Sequence, residues 1–178
     1  YLDIVYPWQS STIYQKLKNY NFDHIWVFLE CWKKHLIEDM KFNPDIVSVM
    51  PHGVDFERFK DVPKTEAKSL MGFNSDDFVV VNMNRNSTRK CWDITTRAFI
   101  EFLKRENMNS RIKLFCGCLS YHEDGYNIPE IIITECNRLG LDTEKVVNEH
   151  IFINTKPLHM TDDEVNILYN AADVGMNT

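Results

Sequence analysis

The sequence predicts an α/β protein built on parallel sheets. Strand-length apolar runs, such as residues 78–81 and 112–116, alternate with longer stretches whose apolar residues recur at helical spacing. Polar or glycine-bearing turns separate the two kinds of segment, with Gly72 and Gly140 standing where helices should stop. The 178 residues are 44% hydrophobic and 26% charged, the balance of a packed core beneath a charged surface. Strands that alternate with helices imply βαβ units, and those units build parallel sheets.

Taken in order, residues 1–6 read as a short buried strand, and Ser10, Ser11 and Thr12 offer N-caps to a helix that reaches about Lys18. A strand is expected over 23–28 and a helix over 29–40, where Leu29, Trp32, Leu36 and Met40 recur at helical spacing. A third strand over 45–50 ends sharply at Pro51 and Gly53. Residues 56–63 show no clean period and read as a crossing between two lobes. A short helix follows over 63–71, with Pro63 in its first turn and Gly72 just past its end.

A second series then begins. Strands are expected over 78–81, 112–116 and 150–153, with helices over 92–105 and 128–139. Thr161 and Glu164 have capping-box spacing and open a helix to about Ala172, after which Asp173 leads into a further strand. The expected division is therefore 1–55, the crossing and short helix over 56–76, and 77–178. An unfinished parallel sheet exposes a pairing edge, so a chain that opens on one strand and stops on another is expected to be an internal piece of a longer protein.

Composition narrows the function. A net charge of -6 argues against a nucleic-acid binder, which needs a basic face. No apolar run is long enough to span a bilayer, and the expected location is cytoplasmic. The five cysteines, Cys31, Cys91, Cys116, Cys118 and Cys136, have no zinc spacing and read as reduced structural thiols. Cys116 and Cys118 are expected on opposite faces of their strand, unable to share a metal. His24, His35, His122, His150 and His159 show no metal spacing with carboxylates, and Asp162, Asp163 and Glu164 suit a helix start. No metal is expected.

The strongest local signal is at the tip of the strand over 78–81. Arg85 and Lys90 sit there, just before a helix N-terminus, and ligands in doubly wound sheets bind outside the carboxyl ends of strands. Two cations beside a helix start suit a phosphate or diphosphate; the plain alternative is a pair of solvated surface cations. Arg89 reads as a solvated neighbour. Asn82, Asn84 and Asn86 line the same tip, with Asn82 and Asn86 expected to brace the loop. Gly117 is expected in a turn after the strand over 112–116. Asn154, Thr155 and Lys156 follow the strand over 150–153. His52 is taken as a hinge or packing residue.

Three stretches in order carry a resemblance. They are residues 46–55 with Phe59, then Asn84-Arg85 with Lys90, then 147–177 with its core Leu168-Tyr169-Asn170-Ala171-Ala172-Asp173-Val174. Together they resemble the family 4 (group 1) glycosyltransferases of GT-B fold. The chain departs from the family pattern at His52, where Asn is usual, and at Asn84, Cys91 and Thr155, where Gly is usual.

The resemblance implies the end of an N-terminal lobe and most of a C-terminal donor lobe, both Rossmann-like. It assigns Arg85 and Lys90 to the donor diphosphate, and Asn84, Gly117, Asn154 and Thr155 to other donor contacts. It identifies no catalytic residue within 1–178, because the family's paired glutamates would follow Thr178 and the acceptor wall would precede Tyr1; the piece is expected to be inactive alone. The implied reaction moves a hexose from a nucleotide-diphosphate sugar to a glycan or glycoprotein acceptor, retaining and metal-independent, with no cofactor. GDP-mannose is the first donor expected and a UDP-sugar the second. Peripheral membrane contact would fall to the missing part of the N-terminal lobe. A sugar-nucleotide epimerase of the same fold, or a noncatalytic carbohydrate- or partner-binding lobe, stands as the alternative.

Overall fold

The computed structural model describes residues 16, 19–155 and 159–177. The expected first strand, nearly all of the expected first helix, and Lys156 lie outside the described residues. The chain divides into two compact units, Tyr1–Asp55 and Phe56–Thr178.

In the first unit, β1 (Ile25–Val27) and β2 (Val47–Val49) pair in parallel, Ile25 opposite Val47, with α1 (Glu30–Glu38) between them in sequence. Ile25, Val27, Leu36, Phe42 and Val47 form the core, with Trp32 and Met40 packed against it. Leu29 has extended backbone and caps α1 instead of joining it. The expected strand over 45–50 is shorter because a 3-10 turn, Pro44–Ile46, occupies its start; Asn43 caps that turn by accepting from the Asp45 N–H at 3.0 Å. The His52 ring stacks on Phe28 at 3.6 Å, a packing contact.

The second unit contains α2 (Lys64–Leu70), β3 (Phe78–Asn82), α3 (Trp92–Arg105), β4 (Ile112–Leu119), α4 (Ile128–Leu139), α5 (Thr143–His150), β5 (Ile151–Asn154), α6 (Asp162–Ala171) and β6 (Val174–Gly175). Among the described residues its four strands are all parallel, in the order β5-β4-β3-β6. β3 is buried on both faces, as strands between helical layers are. Val80 joins Trp92, Ile100, Leu114 and Ile132 on one side, while Val79 and Val81 join Phe73, Leu168 and Ala171 on the other. The expected α/β fold with parallel sheets is present.

Local chemistry explains the helix ends. Asn127 caps α4, Pro129 occupies its first turn, and Gly140 ends it at φ +68°, a backbone that glycine adopts without strain. The Thr161–Glu164 capping box forms as expected: Glu164 N–H donates to Thr161 Oγ1 at 3.3 Å, and Thr161 N–H donates to Glu164 Oε2 at 2.7 Å.

Three expectations need correction. β4 runs on to Leu119, so Gly117 lies inside the strand and not in a turn after it. A Cβ at Gly117 would collide with Met83 Sδ and come within 3.0 Å of Met83 Cα, so this glycine permits the close approach of β3's extension. Cys116 and Cys118 share one buried face, because side chains two apart in a strand point the same way. Finally, α5 was not expected. Asp142 caps it by accepting from the Lys145 N–H at 3.2 Å, and His150 ends it, with buried Nδ1 donating to the Ile112 carbonyl at 2.8 Å.

Candidate functional site

The chain lays β4 and β5 outward on one side of β3, then returns to place β6 on the other. At such a reversal the loops after the two neighbouring strands part, leaving a crevice at their carboxyl ends where ligands bind in open α/β sheets. One cavity, of about 480 Å³, runs alongside β6 and reaches the ends of β3 and β6, lined by Met83, Asn84, Tyr169, Gly175 and Asn177 among others. A second, of about 260 Å³, lies between the loops after β3 and β4, where Arg85, Ser87, Gly117, Cys118, His122 and Asp124 line it.

The asparagines hold this edge together. Buried Asn82 donates to Thr95 Oγ1 at 3.2 Å and accepts from the Asn84 backbone N–H at 3.0 Å and side-chain amide at 2.8 Å. Asn84 in turn donates to Asn177 Oδ1 at 3.0 Å, which ties the end of β3 to the end of β6. Asn86 fastens the β3 loop to the β4 loop by donating to the carbonyls of Leu119 (3.1 Å) and Tyr126 (2.8 Å). Its Oδ1 accepts from the Tyr126 N–H at 2.8 Å. Asn82 and Asn86 thus brace the loop. Gly125 lets the loops close, since a Cβ there would collide with Asn86 Oδ1 and lie 2.8 Å from the Asn86 carbonyl oxygen.

Arg85 is exposed, but its backbone is fixed: the indole N–H of buried Trp92 donates to its carbonyl at 3.2 Å. Lys90 ends the 3-10 turn Thr88–Lys90 and is half-buried. The following Cys91 has left-handed backbone, φ 42° and ψ 48°, and caps α3. That conformation favours glycine, which is the residue usual at this place in the pattern the sequence resembles.

The expected site residues therefore separate. Arg85 and Gly117 share one cavity and Asn84 lines the other, while Lys90, Asn154 and Thr155 line neither. Asn154 ends β5, and its carbonyl accepts from the Ser120 N–H at 2.8 Å. His122 and Asp124 were missed as lining residues; their only sequence signal is a place in the loop after a strand. The Cys118 thiol, pushed up to about 12 by burial, is inert as a nucleophile. Asp173 also lines the cavity alongside β6; it accepts from the Val79 N–H at 2.9 Å and pairs with Lys64 (3.0 Å) and Lys68 (2.8 Å). Partial burial alone would raise its pKa, but the Lys68, Val79 and Lys64 bonds hold the carboxyl below the usual range.

No protein-family model matches the sequence, and no curated protein matches it. Among solved structures, the chain is similar to the crystal structure of a glycosyltransferase from Rickettsia africae ESF-5, at a TM-score of 0.52 and 16% identity. The likeness is one of fold. It covers 86% of this chain and 37% of that one, so the chain spans little more than a third of that protein's length. The parallel sheets and the strand reversal are consistent with a Rossmann-like glycosyltransferase fold. Among the described residues, no group of three or more His, Cys, Asp or Glu could hold a metal ion, and no helix is long and apolar enough to cross a membrane.

Proposed function

We propose that the protein acts as a glycosyltransferase of the GT-B, family 4 kind, whose donor is a nucleotide-diphosphate hexose. Arg85 and Lys90 bind the donor diphosphate. The observation that carries this reading is the position of Arg85, anchored through Trp92 in the loop after β3 at the carboxyl edge of a parallel sheet, where it lines the cavity between the β3 and β4 loops. The shared fold with a glycosyltransferase supports it.

Glycosyl transfer breaks the bond between the anomeric carbon and the diphosphate. Negative charge grows on the leaving group, so fixed cations stabilise the transition state more than the ground state. A guanidinium grips phosphoryl oxygens through two parallel bonds, and a lysine further along the same loop adds a movable point charge. Such a clamp needs no metal and no cofactor. Asn84, Gly117, Asn154 and Thr155 lie at or near the strand ends where the rest of the donor would extend. The donor is GDP- or UDP-linked, GDP-mannose first, the acceptor is a sugar or glycan, and transfer is retaining. No residue of this chain is assigned to the bond-breaking step.

The test is donor binding and turnover by the full-length protein carrying Arg85→Ala or Lys90→Ala. Each loss of a charge-assisted contact should weaken binding by about 1.5–3 kcal/mol. Unchanged binding and turnover in both variants would sink the clamp.

A further inference from the structure

The cavity between the loops after β3 and β4 holds groups that the Arg85–Lys90 clamp leaves unused. Ser87, His122 and Asp124 line it with Arg85. The Ser87 hydroxyl oxygen is buried and has no hydrogen-bond partner among the described residues. Buried polar groups in native proteins nearly always have one, water included, so this hydroxyl still has a bond to give to a group that enters the cavity. The His122 ring accepts from the Asp124 N–H through Nδ1 at 3.1 Å. A neutral imidazole that accepts at Nδ1 carries its proton on Nε2 and is a donor there.

Guanidinium, imidazole N–H and hydroxyl all suit phosphoryl oxygens. Asp124 has the opposite preference, because a carboxylate repels a phosphoryl group and accepts from hydroxyls. Three donors and one acceptor around about 260 Å³ match a ligand that carries phosphoryl oxygens beside free hydroxyls. The walls are firm: Asn86 bonds to both loops, and the Thr88 N–H donates to the Asp124 carbonyl at 3.2 Å.

We propose that this cavity is a sugar-phosphate subsite. Arg85, Ser87 and His122 hold a phosphoryl group, and Asp124 accepts from a hydroxyl of the adjoining sugar. The subsite deepens the donor reading of Arg85 and rests on it. It makes His122 and Ser87, from two different loops, the partners of Arg85 inside the cavity, and it makes Asp124 a discriminator between bare phosphates and sugar-linked ones.

The experiment is calorimetric titration of the full-length protein with inorganic pyrophosphate, UDP-glucose and GDP-mannose. The proteins are wild type, Arg85→Ala, Ser87→Ala, His122→Ala and Asp124→Asn, each first shown by circular dichroism to keep its fold. Ser87→Ala and His122→Ala should weaken pyrophosphate and at least one nucleotide sugar by roughly tenfold. Asp124→Asn should weaken that nucleotide sugar yet strengthen pyrophosphate, because it removes a repelling charge while keeping the shape. A loop that merely lost order would shift all probes one way, so a same-direction shift in Asp124→Asn overturns the proposal. If Arg85→Ala is weakened while the other three variants bind as wild type does, the subsite falls alone. If Arg85→Ala binds every probe as wild type does, or wild type binds none, the donor reading falls with it.

Discussion

Asn86 and Tyr126 bond each other in both directions: the Tyr126 N–H donates to Asn86 Oδ1 at 2.8 Å, and Asn86 Nδ2 donates back to the Tyr126 carbonyl at 2.8 Å. The two residues belong to the loops after β3 and β4, so one buried amide joins both walls of the Arg85 cavity. Asn86→Ala would strand the Tyr126 and Leu119 backbone groups without their partner. The expected loss is about 2–3 kcal/mol of unfolding free energy, measured by urea denaturation. Asn86→Asp should also destabilise, since a carboxylate cannot donate to two carbonyls.

Glycine substitutions in the same walls should be felt through named contacts. Gly117→Ala drives a Cβ into Met83 Sδ, and Gly125→Ala drives one towards the Asn86 backbone. Each should cost about 1–3 kcal/mol by overpacking. Adding Met83→Ala removes the sulfur that Gly117→Ala meets, so the double variant should be more stable than the sum of the singles. Paired denaturation curves in a double-mutant cycle give that coupling.

The Asp173 cluster predicts an acid-side effect. The folded-state pKa of Asp173 is lowered, so its stabilisation is present above the unfolded-state value and is lost as pH falls through the folded one. Below about pH 4, where a free Asp titrates, wild type should lose stability more steeply than Asp173→Asn. Thermal melts of both proteins from pH 6 down to pH 3 test this; parallel curves would remove Asp173 as a source of the acid sensitivity.

Thiol labelling should divide the cysteines. Cys31 is exposed, whereas Cys116, Cys118 and Cys136 are buried. Burial pushes the Cys118 thiol to about 12 and raises the other two. Iodoacetamide at neutral pH should therefore modify Cys31 in the folded protein and reach the three buried thiols only after unfolding, as read by peptide mass spectrometry. Rapid native labelling of Cys118 would contradict its placement on the inner face of β4.

The helix start at Thr161 offers a local measure. Thr161→Ala removes the side-chain half of the capping box and should cost about 1 kcal/mol. Thr161→Ser should recover most of it in the same denaturation assay.

Much of this was legible in the sequence, and the rest was hidden for physical reasons. α3 and α4 were bounded correctly, with Gly140 marking the end of α4, but the buried face of α3 was not legible: Phe99, Ile100 and Leu103 are buried there, whereas the apolar Ile94 and Ala98 are exposed. The bracing asparagines were legible from their place at a strand tip. The length of β4 was not: Gly117 reads as a break, and only the approach of Met83 shows why glycine stands inside a strand. α5 was hidden because Val146 and Val147 are its only large apolar residues. Arg85 could be placed at a strand end, but its separation from Lys90 depends on the Thr88–Lys90 turn and the left-handed Cys91, which no periodicity reveals.

Trp92 is the only tryptophan in the unit Phe56–Thr178, and it is fully buried with its indole N–H on the Arg85 carbonyl. The second unit therefore carries its own optical probe at the base of the residue proposed to meet the ligand. With Trp8, Trp26 and Trp32 replaced by Phe, Trp92 would be the one tryptophan left in these 178 residues, so a change at the Arg85 backbone on seating of a ligand could be followed in its emission without a label or an assay for the reaction.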